Sequence, residues 1–243
     1  LARRILTVAD PIATFAMGFA LTRYTAISLD DHKGHSYLSS ATLIVFVITT
    51  LIIALGIWFD VRISEIIFND SNHTSLFHAT LVLVAGYSMY ILLYSHLRGL
   101  GLMSIANIWQ LAVVAIGPLI ISWQVLDAGG GVELIIYGMA ALFFLSAPFI
   151  VKYLKIYTLL DGRFFRKNKL KELVVYAMPR VPGIFSYNLM FAVGPFIAAY
   201  HGLLRESGFI VIGQFVLRIV EGGLESFSRV AFPRLAQDFS KSG

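Results

Sequence analysis

Seven stretches of this chain are apolar over about the length needed to cross a bilayer, roughly 20 residues as a helix. They run approximately Ile5–Ser28, Tyr37–Phe59, Ser75–Tyr94, Met103–Leu126, Val132–Leu154, Leu173–Tyr200 and Gly208–Leu235. None shows the alternation of apolar and polar residues that a barrel strand requires. The pattern predicts an all-α membrane protein, a polytopic transmembrane bundle of about seven spans. Composition agrees: 58% of residues are hydrophobic, only 14% are charged and the mean hydropathy is +0.78. A soluble domain carries about 25% charged residues. There is no cysteine, which excludes disulfides and thiolate metal sites.

The polar connections order the spans. Asp161–Glu172, DGRFFRKNKLKE, collects Arg163, Arg166, Lys167, Lys169 and Lys171, with Lys152 and Lys155 upstream. The positive-inside rule places this loop in the cytoplasm. Alternation then puts Leu97–Leu102, with Arg98, inside, and Asp60–Thr74 and Asp127–Gly131 outside. The formal net charge of +5 is explained by this asymmetry and calls for no nucleic acid. Phe164 and Phe165 beside the loop's basic residues suit contact with anionic membrane lipids.

Within the last stretch a stripe of charge interrupts the apolar surface. Gln214, Arg218, Glu221, Glu225 and Arg229 fall within about a quarter of the circumference at about 100° per residue. Ionisable groups at membrane depth persist where they pair or line a wet cavity. One reading is a self-neutralising ladder along the helix; the other is a substrate pathway. In the pathway reading Arg218 attracts an anionic head group, and Glu221 or Glu225 takes a coupling proton or Na+.

The sixth stretch opens ELVVYAMPRVPGIF, where Pro179 and Pro182 each remove a backbone donor and should kink or loosen the helix. Tyr176, Arg180, Gly183, Tyr187 and Gly194 share one helical face. Arg180 and Tyr187 are therefore candidate cavity residues with Gln214, Arg218, Glu221 and Glu225, although Arg180 could instead snorkel to the interface. Asp10, followed by Pro11, either caps a helix starting at Pro11, pairs with Arg3, or faces the cavity as a further coupling-ion candidate.

No nucleophile elbow, P-loop or HExxH is present, and the chain is not expected to be an enzyme or to carry a cofactor. An acid–base cluster is conceivable only at Asp60, Glu65, Asp70 and His73, which a solvated loop explains. The histidines other than His78 lie in or next to connections and read as interfacial residues. The chain opens on Leu1 close to a span, and is expected to be an internal piece of a longer transporter.

From Lys171 to Leu235, YAMPRVPGIFSYNL, the polar turn HGLLRESG and IGQFVLRIVEGGLESFSRVAFPRLAQDF resemble the polysaccharide and oligosaccharide-lipid flippases of the multidrug/oligosaccharidyl-lipid/polysaccharide exporter superfamily. The opening LTVADPIATFAMGFALTRYTA looks like that family's second span. The resemblance implies spans two to eight of a two-lobe transporter with twelve or fourteen. Residues 1–160 would be the remainder of the N-terminal lobe, 161–172 the cytoplasmic inter-lobe loop, and 173–243 the first two spans of the C-terminal lobe. It also implies a cationic cavity, alternating access and a polyprenyl-pyrophosphate-linked oligosaccharide as substrate, moved from the inner to the outer leaflet of the plasma (inner) membrane. The alternative is a cation-coupled drug or small-molecule antiporter of the same superfamily, for which an acidic cavity is expected. Many members carry an Asp-Arg pair late in the seventh span; here the region reads Phe191-Ala-Val-Gly-Pro-Phe, so no role tied to that pair transfers.

Overall fold

A computed structural model describes residues 2–28, 34–68, 74–154, 167–203, 205–217 and 219–220. These residues form helices and connections, with no strand among them. The helices are α1 (Ala2–Ala13), α2 (Met17–Ile27), α3 (Gly34–Trp58), α4 (Asp60–Phe68), α5 (Thr74–Gly99), α6 (Met103–Gln110), α7 (Gly117–Asp127), α8 (Val132–Tyr153), α9 (Lys167–Ala177) and α10 (Arg180–Tyr200). Residues 205–217 are helical too. Among the described residues five helices are long and apolar enough to cross a membrane, and α1 with α2, bent by 48°, make a sixth crossing if taken as one broken span. The chain divides into two compact units, Leu1–Met190 and Phe191–Gly243.

In the first unit α5 is the central helix. Its apolar window is 61% buried, against 28% for α3 and α8 and 17% for the Met103–Asp127 span. It packs on α1, α2, α3 and α8, as expected for a helix apolar all round. The other spans leave large apolar side chains outward, among them Phe46, Leu119, Trp123, Leu145 and Phe149. That surface suits lipid. Where α2 crosses α5, a Cβ on Gly99 would lie 2.6 Å from Thr25 Cβ and 2.9 Å from the Thr22 carbonyl. Only glycine allows the two backbones this close.

The expected spans Tyr37–Phe59, Ser75–Tyr94, Met103–Leu126 and Val132–Leu154 correspond to helices with shifted ends. Met103–Asp127 contains a wide turn at Leu111–Ile116, where Gly117 N–H reaches the Ala112 carbonyl. Pro118, one residue on, has no N–H for the ladder, and a π-type turn is a common way to absorb that defect.

Four expectations need correction. Ile5–Ser28 is not one helix: Phe15 and Ala16 adopt left-handed φ of 50° and 51° and separate α1 from α2. Nor does Asp10 cap a helix starting at Pro11. Helix α1 runs through both residues, and the Asp10 carbonyl accepts the backbone N–H and hydroxyl of Thr14, each at 2.8 Å. Leu173–Tyr200 is likewise two helices, parted at Met178–Pro179, and α9 reaches back to Lys167 into the segment expected to be a loop. Finally, Asp60–Thr74 is not all loop, because α4 occupies Asp60–Phe68. Asp60 initiates it by accepting Val61 N–H at 2.7 Å.

The ends of the spans gather as alternate crossings require. At one end Thr22 donates to the Ser95 carbonyl, Thr25 bonds His96, and Tyr37 donates to Glu172. Residues beside the two expected inside connections, Leu97–Leu102 and Asp161–Glu172, thus share one end of the unit with the α2 and α3 ends. At the other, Asp60 meets His78 at 3.0 Å and Ser75 donates to Glu133 at 3.1 Å, joining two expected outside connections.

Candidate functional site

The first of these ends carries a cluster of cations and tyrosines built from four helices. Thr22 and Thr25 turn toward α5. Thr25 Oγ1 lies 3.1 Å from Nδ1 of the fully buried His96, and Thr22 Oγ1 lies 3.0 Å from the Ser95 carbonyl. With that face of α2 committed, Arg23 and Tyr24 point away from α5, toward α3 and α9. Tyr24 stacks on Tyr37 at 5.2 Å between centroids and meets Tyr176 edge-on at 5.8 Å.

Tyr176 is the hub. The Arg23 guanidinium lies 4.6 Å from its ring centroid and that of Arg180 lies 3.7 Å from the same centroid. Arg180 also donates from Nη1 to the Tyr176 carbonyl at 2.6 Å. The α9–α10 break explains that bond. A helix leaves its last carbonyls without intrahelical donors, and a nearby basic side chain can supply one. Around the hub, Tyr37 donates to Glu172 Oε2 at 2.6 Å. Lys169 lies 4.4 Å from the Tyr37 ring centroid and donates to Ser36 Oγ.

The cluster thus holds three cations, Arg23, Arg180 and Lys169, and one carboxylate, Glu172, which accepts the Tyr37 hydroxyl. Among the described residues neither Arg23 nor Arg180 is within ion-pairing distance of a carboxylate. A guanidinium has five N–H donors in a planar fork. One Arg180 donor goes to Tyr176, and the rings offset part of the like-charge repulsion through cation–π attraction. The remaining donors suit an anion with several acceptor oxygens.

Below the cluster α10 meets α1. Pro11 has no N–H to offer the Thr7 carbonyl, its partner one turn back. Asn188 Nδ2 donates to that carbonyl at 2.8 Å. In a bilayer a freed carbonyl must find such a donor inside the protein.

The residues expected from sequence disperse. Arg180 is in the cluster. Tyr187 is exposed, further along α10. Asp10 lies in α1 with Oδ1 buried and without a hydrogen-bond partner. Gln214 belongs to the second unit, and its Oε1 is also buried without a partner. Arg218, Glu221, Glu225 and Arg229 lie outside the described residues, as do the Arg3 side chain, Arg163, Phe164, Phe165 and Arg166. His96 was expected at an interface; it is enclosed in the last turn of α5 because α2 covers it. Of the acidic candidates, Asp60 is engaged by His78, Glu65 is exposed on α4, and Asp70 and His73 are not described. Among the described residues no group of three acids or histidines could hold a metal.

Sequence reasoning passed over Arg23, Tyr24, Tyr37, Lys169, Glu172 and Asn188 as site residues. Asn188 had a readable signal, since Pro11 inside an apolar stretch demands a donor from elsewhere. The Arg-Tyr pair at 23–24 had a weaker one, a cation in the last turn of a span. No protein-family model, curated protein or solved structure matches this chain.

Proposed function

We propose that this chain is part of a membrane transporter that flips polyprenyl-pyrophosphate-linked oligosaccharide from the inner to the outer leaflet by alternating access. The reading rests on the flippase-like motifs in Lys171–Leu235, and one observation carries it further. Arg23 and Arg180 flank the Tyr176 ring at 4.6 and 3.7 Å, uncompensated by carboxylate among the described residues. A pyrophosphate offers the charge and acceptor oxygens such a pair can hold. The aromatic edges of Tyr24 and Tyr37 beside it suit a lipid-borne sugar better than a free cation. In this proposal residues 161–172 face the cytoplasm of a plasma (inner) membrane, so the cluster stands where the substrate enters. The α1–α2 and α9–α10 breaks give α1, α2, α9 and α10 the discontinuities on which one lobe rocks against another.

The test uses the full-length parent protein carrying Arg23→Gln or Arg180→Gln, with lipid-linked oligosaccharide counted in each leaflet. Accumulation on the cytoplasmic side at unchanged protein level is the expected result. Normal flipping in both variants would refute the role of the cluster and shift weight to the antiporter reading. That second reading has one observation in its favour, the buried Asp10 carboxylate in a broken span.

A further inference from the structure

The carboxylate of the cation cluster is bonded to a tyrosine rather than to an arginine. Glu172 and Tyr176 are one turn apart on α9 and share a face, so their Cβ atoms are about 5–6 Å apart. Side chains on a helix lean toward its N-terminus, which carries the Tyr176 ring back toward Glu172. The Arg23 and Arg180 guanidinium groups stand 4.6 and 3.7 Å from the centroid of that ring. A carboxylate so placed has a strong alternative in an arginine fork, since bidentate arginine–carboxylate contacts are among the strongest polar pairs. Glu172 Oε2 instead accepts the hydroxyl of Tyr37, from α3, at 2.6 Å.

That bond has the length of a charge-assisted O–H···O⁻ contact. Tyr37 is also fixed independently of Glu172. Its ring stacks on Tyr24 at 5.2 Å, has the Lys169 ammonium 4.4 Å from its centroid, and is buried. Ser36, beside it on α3, accepts a hydrogen bond from Lys169. The hydroxyl therefore stays where the ring stack puts it. Glu172 must leave Tyr37 to reach an arginine. Lys169, three residues earlier on α9, is the other cation near Glu172, and it is buried against Ser36 and Tyr37.

An anion site made of two arginines is threatened first by a carboxylate of its own chain. A tethered group acts at an effective concentration of millimolar order, which a dilute ligand does not match. A glutamate one turn from the arginine-bearing ring would close such a site from within unless something held it elsewhere. The Tyr37 hydroxyl is placed to do that.

We infer that Tyr37 is a positioning residue for anion binding: its hydroxyl holds the Glu172 carboxylate toward α3 and so keeps Arg23 and Arg180 open to a phosphate-bearing ligand. The inference rests on the anion site of the proposed function. It adds that the affinity of that site is set by a residue that touches neither arginine, acting through a carboxylate that competes with the ligand.

The experiment measures binding of radiolabelled farnesyl pyrophosphate, a short polyprenyl pyrophosphate, to the purified full-length parent protein in nanodiscs of zwitterionic lipid. Displacement by inorganic pyrophosphate reports the head group, and displacement by farnesol reports the tail. The melting midpoint of each variant reports whether it folds. Tyr37→Phe removes the hydroxyl but keeps the ring against Tyr24 and Lys169, and should weaken binding by about fivefold or more. The double variant Tyr37→Phe/Glu172→Gln should return to within about twofold of the parent, because the competitor is gone. Glu172→Gln alone should raise affinity by less than about threefold, since Tyr37 already withholds the carboxylate. If inorganic pyrophosphate displaces nothing from the parent, or if Arg180→Gln binds as the parent does, the anion reading fails and the inference with it. If those controls hold and Tyr37→Phe binds as the parent does, the inference alone is overturned. A double variant as weak as Tyr37→Phe would also overturn it, by making the hydroxyl a packing group. A larger gain in Glu172→Gln would overturn it whether or not Tyr37→Phe folds, by showing that Glu172 already lies on the arginines.

Discussion

The hydrogen bond from Asn188 to the Thr7 carbonyl allows a test in which two substitutions must cancel. Asn188→Leu removes the donor at 2.8 Å while keeping a branched side chain of four heavy atoms. In water-soluble proteins, losing the partner of a buried polar group costs about 1–3 kcal/mol. Inter-helix hydrogen bonds in membranes measure lower, about 0.6 kcal/mol on average and up to about 1.7. The Thr7 carbonyl lacks its normal ladder donor because of Pro11, which argues for the upper part of that range, about 1–1.5 kcal/mol. Pro11→Ala supplies an N–H at the ladder position. In that background the Asn188 bond is partly redundant, and Asn188→Leu should cost no more than about 0.5 kcal/mol. The coupling between the sites is then about 0.5–1 kcal/mol, large enough for a double-mutant cycle. Reversible unfolding in mixed micelles, followed by far-UV circular dichroism, would measure all four corners. An equal cost of Asn188→Leu with Pro11 and with Ala at position 11 would refute the argument that the proline creates the need for the asparagine.

Two further predictions concern backbone geometry. Gly99→Ala places a Cβ 2.6 Å from Thr25 Cβ and should destabilise the first unit by about 1–3 kcal/mol, measured in the same unfolding assay. A change below about 0.5 kcal/mol would mean that α2 and α5 are further apart than described. Ala16→Gly should do the reverse of what glycine does in a helix: it relieves a left-handed φ of 51° and should stabilise by about 1 kcal/mol. A loss of that size would instead mark Ala16 as ordinary helix.

The positions of α3, α5, α8 and the Met103–Asp127 span were legible because twenty apolar residues in a row leave few alternatives. The breaks were harder, for different reasons. At Pro179 and Pro182 the missing donors announced a defect, but not that α9 would run back through Lys167 and bury Lys169 against Ser36 and Tyr37. At Phe15–Ala16 no glycine or proline occupies the turn. The turn is enclosed by packing that only the tertiary structure reveals; the Thr14 bond to Asp10 does not mark it, since the same bond occurs at Ser40, Thr42 and Thr80 in continuous helices. The arginine–tyrosine cluster was half visible. Arg180 and Tyr176 share a helical face in the sequence, whereas Arg23 reaches them from a helix more than 140 residues earlier, a contact that periodicity cannot encode.

The two broken helix pairs also touch one another. Helices α2 and α9 meet through Arg23 and Tyr176, and α1 meets α10 through Thr7 and Asn188. In each contact a polar side chain from one broken pair engages the other, and each contact has beside it a backbone carbonyl freed by a helix defect. Pro11 leaves the Thr7 carbonyl to Asn188, and the α9–α10 break leaves the Tyr176 carbonyl to Arg180. A continuous helix would have satisfied both internally and offered neither a reason to bind its neighbour. Defects of this kind are costly in a bilayer unless answered across helices, and an answer across helices can be exchanged for another partner without unfolding a span. A transporter, as proposed above, would need that property at the places where it moves. The anion proposed at Arg23 and Arg180 would bind at such a place, beside the α9–α10 break.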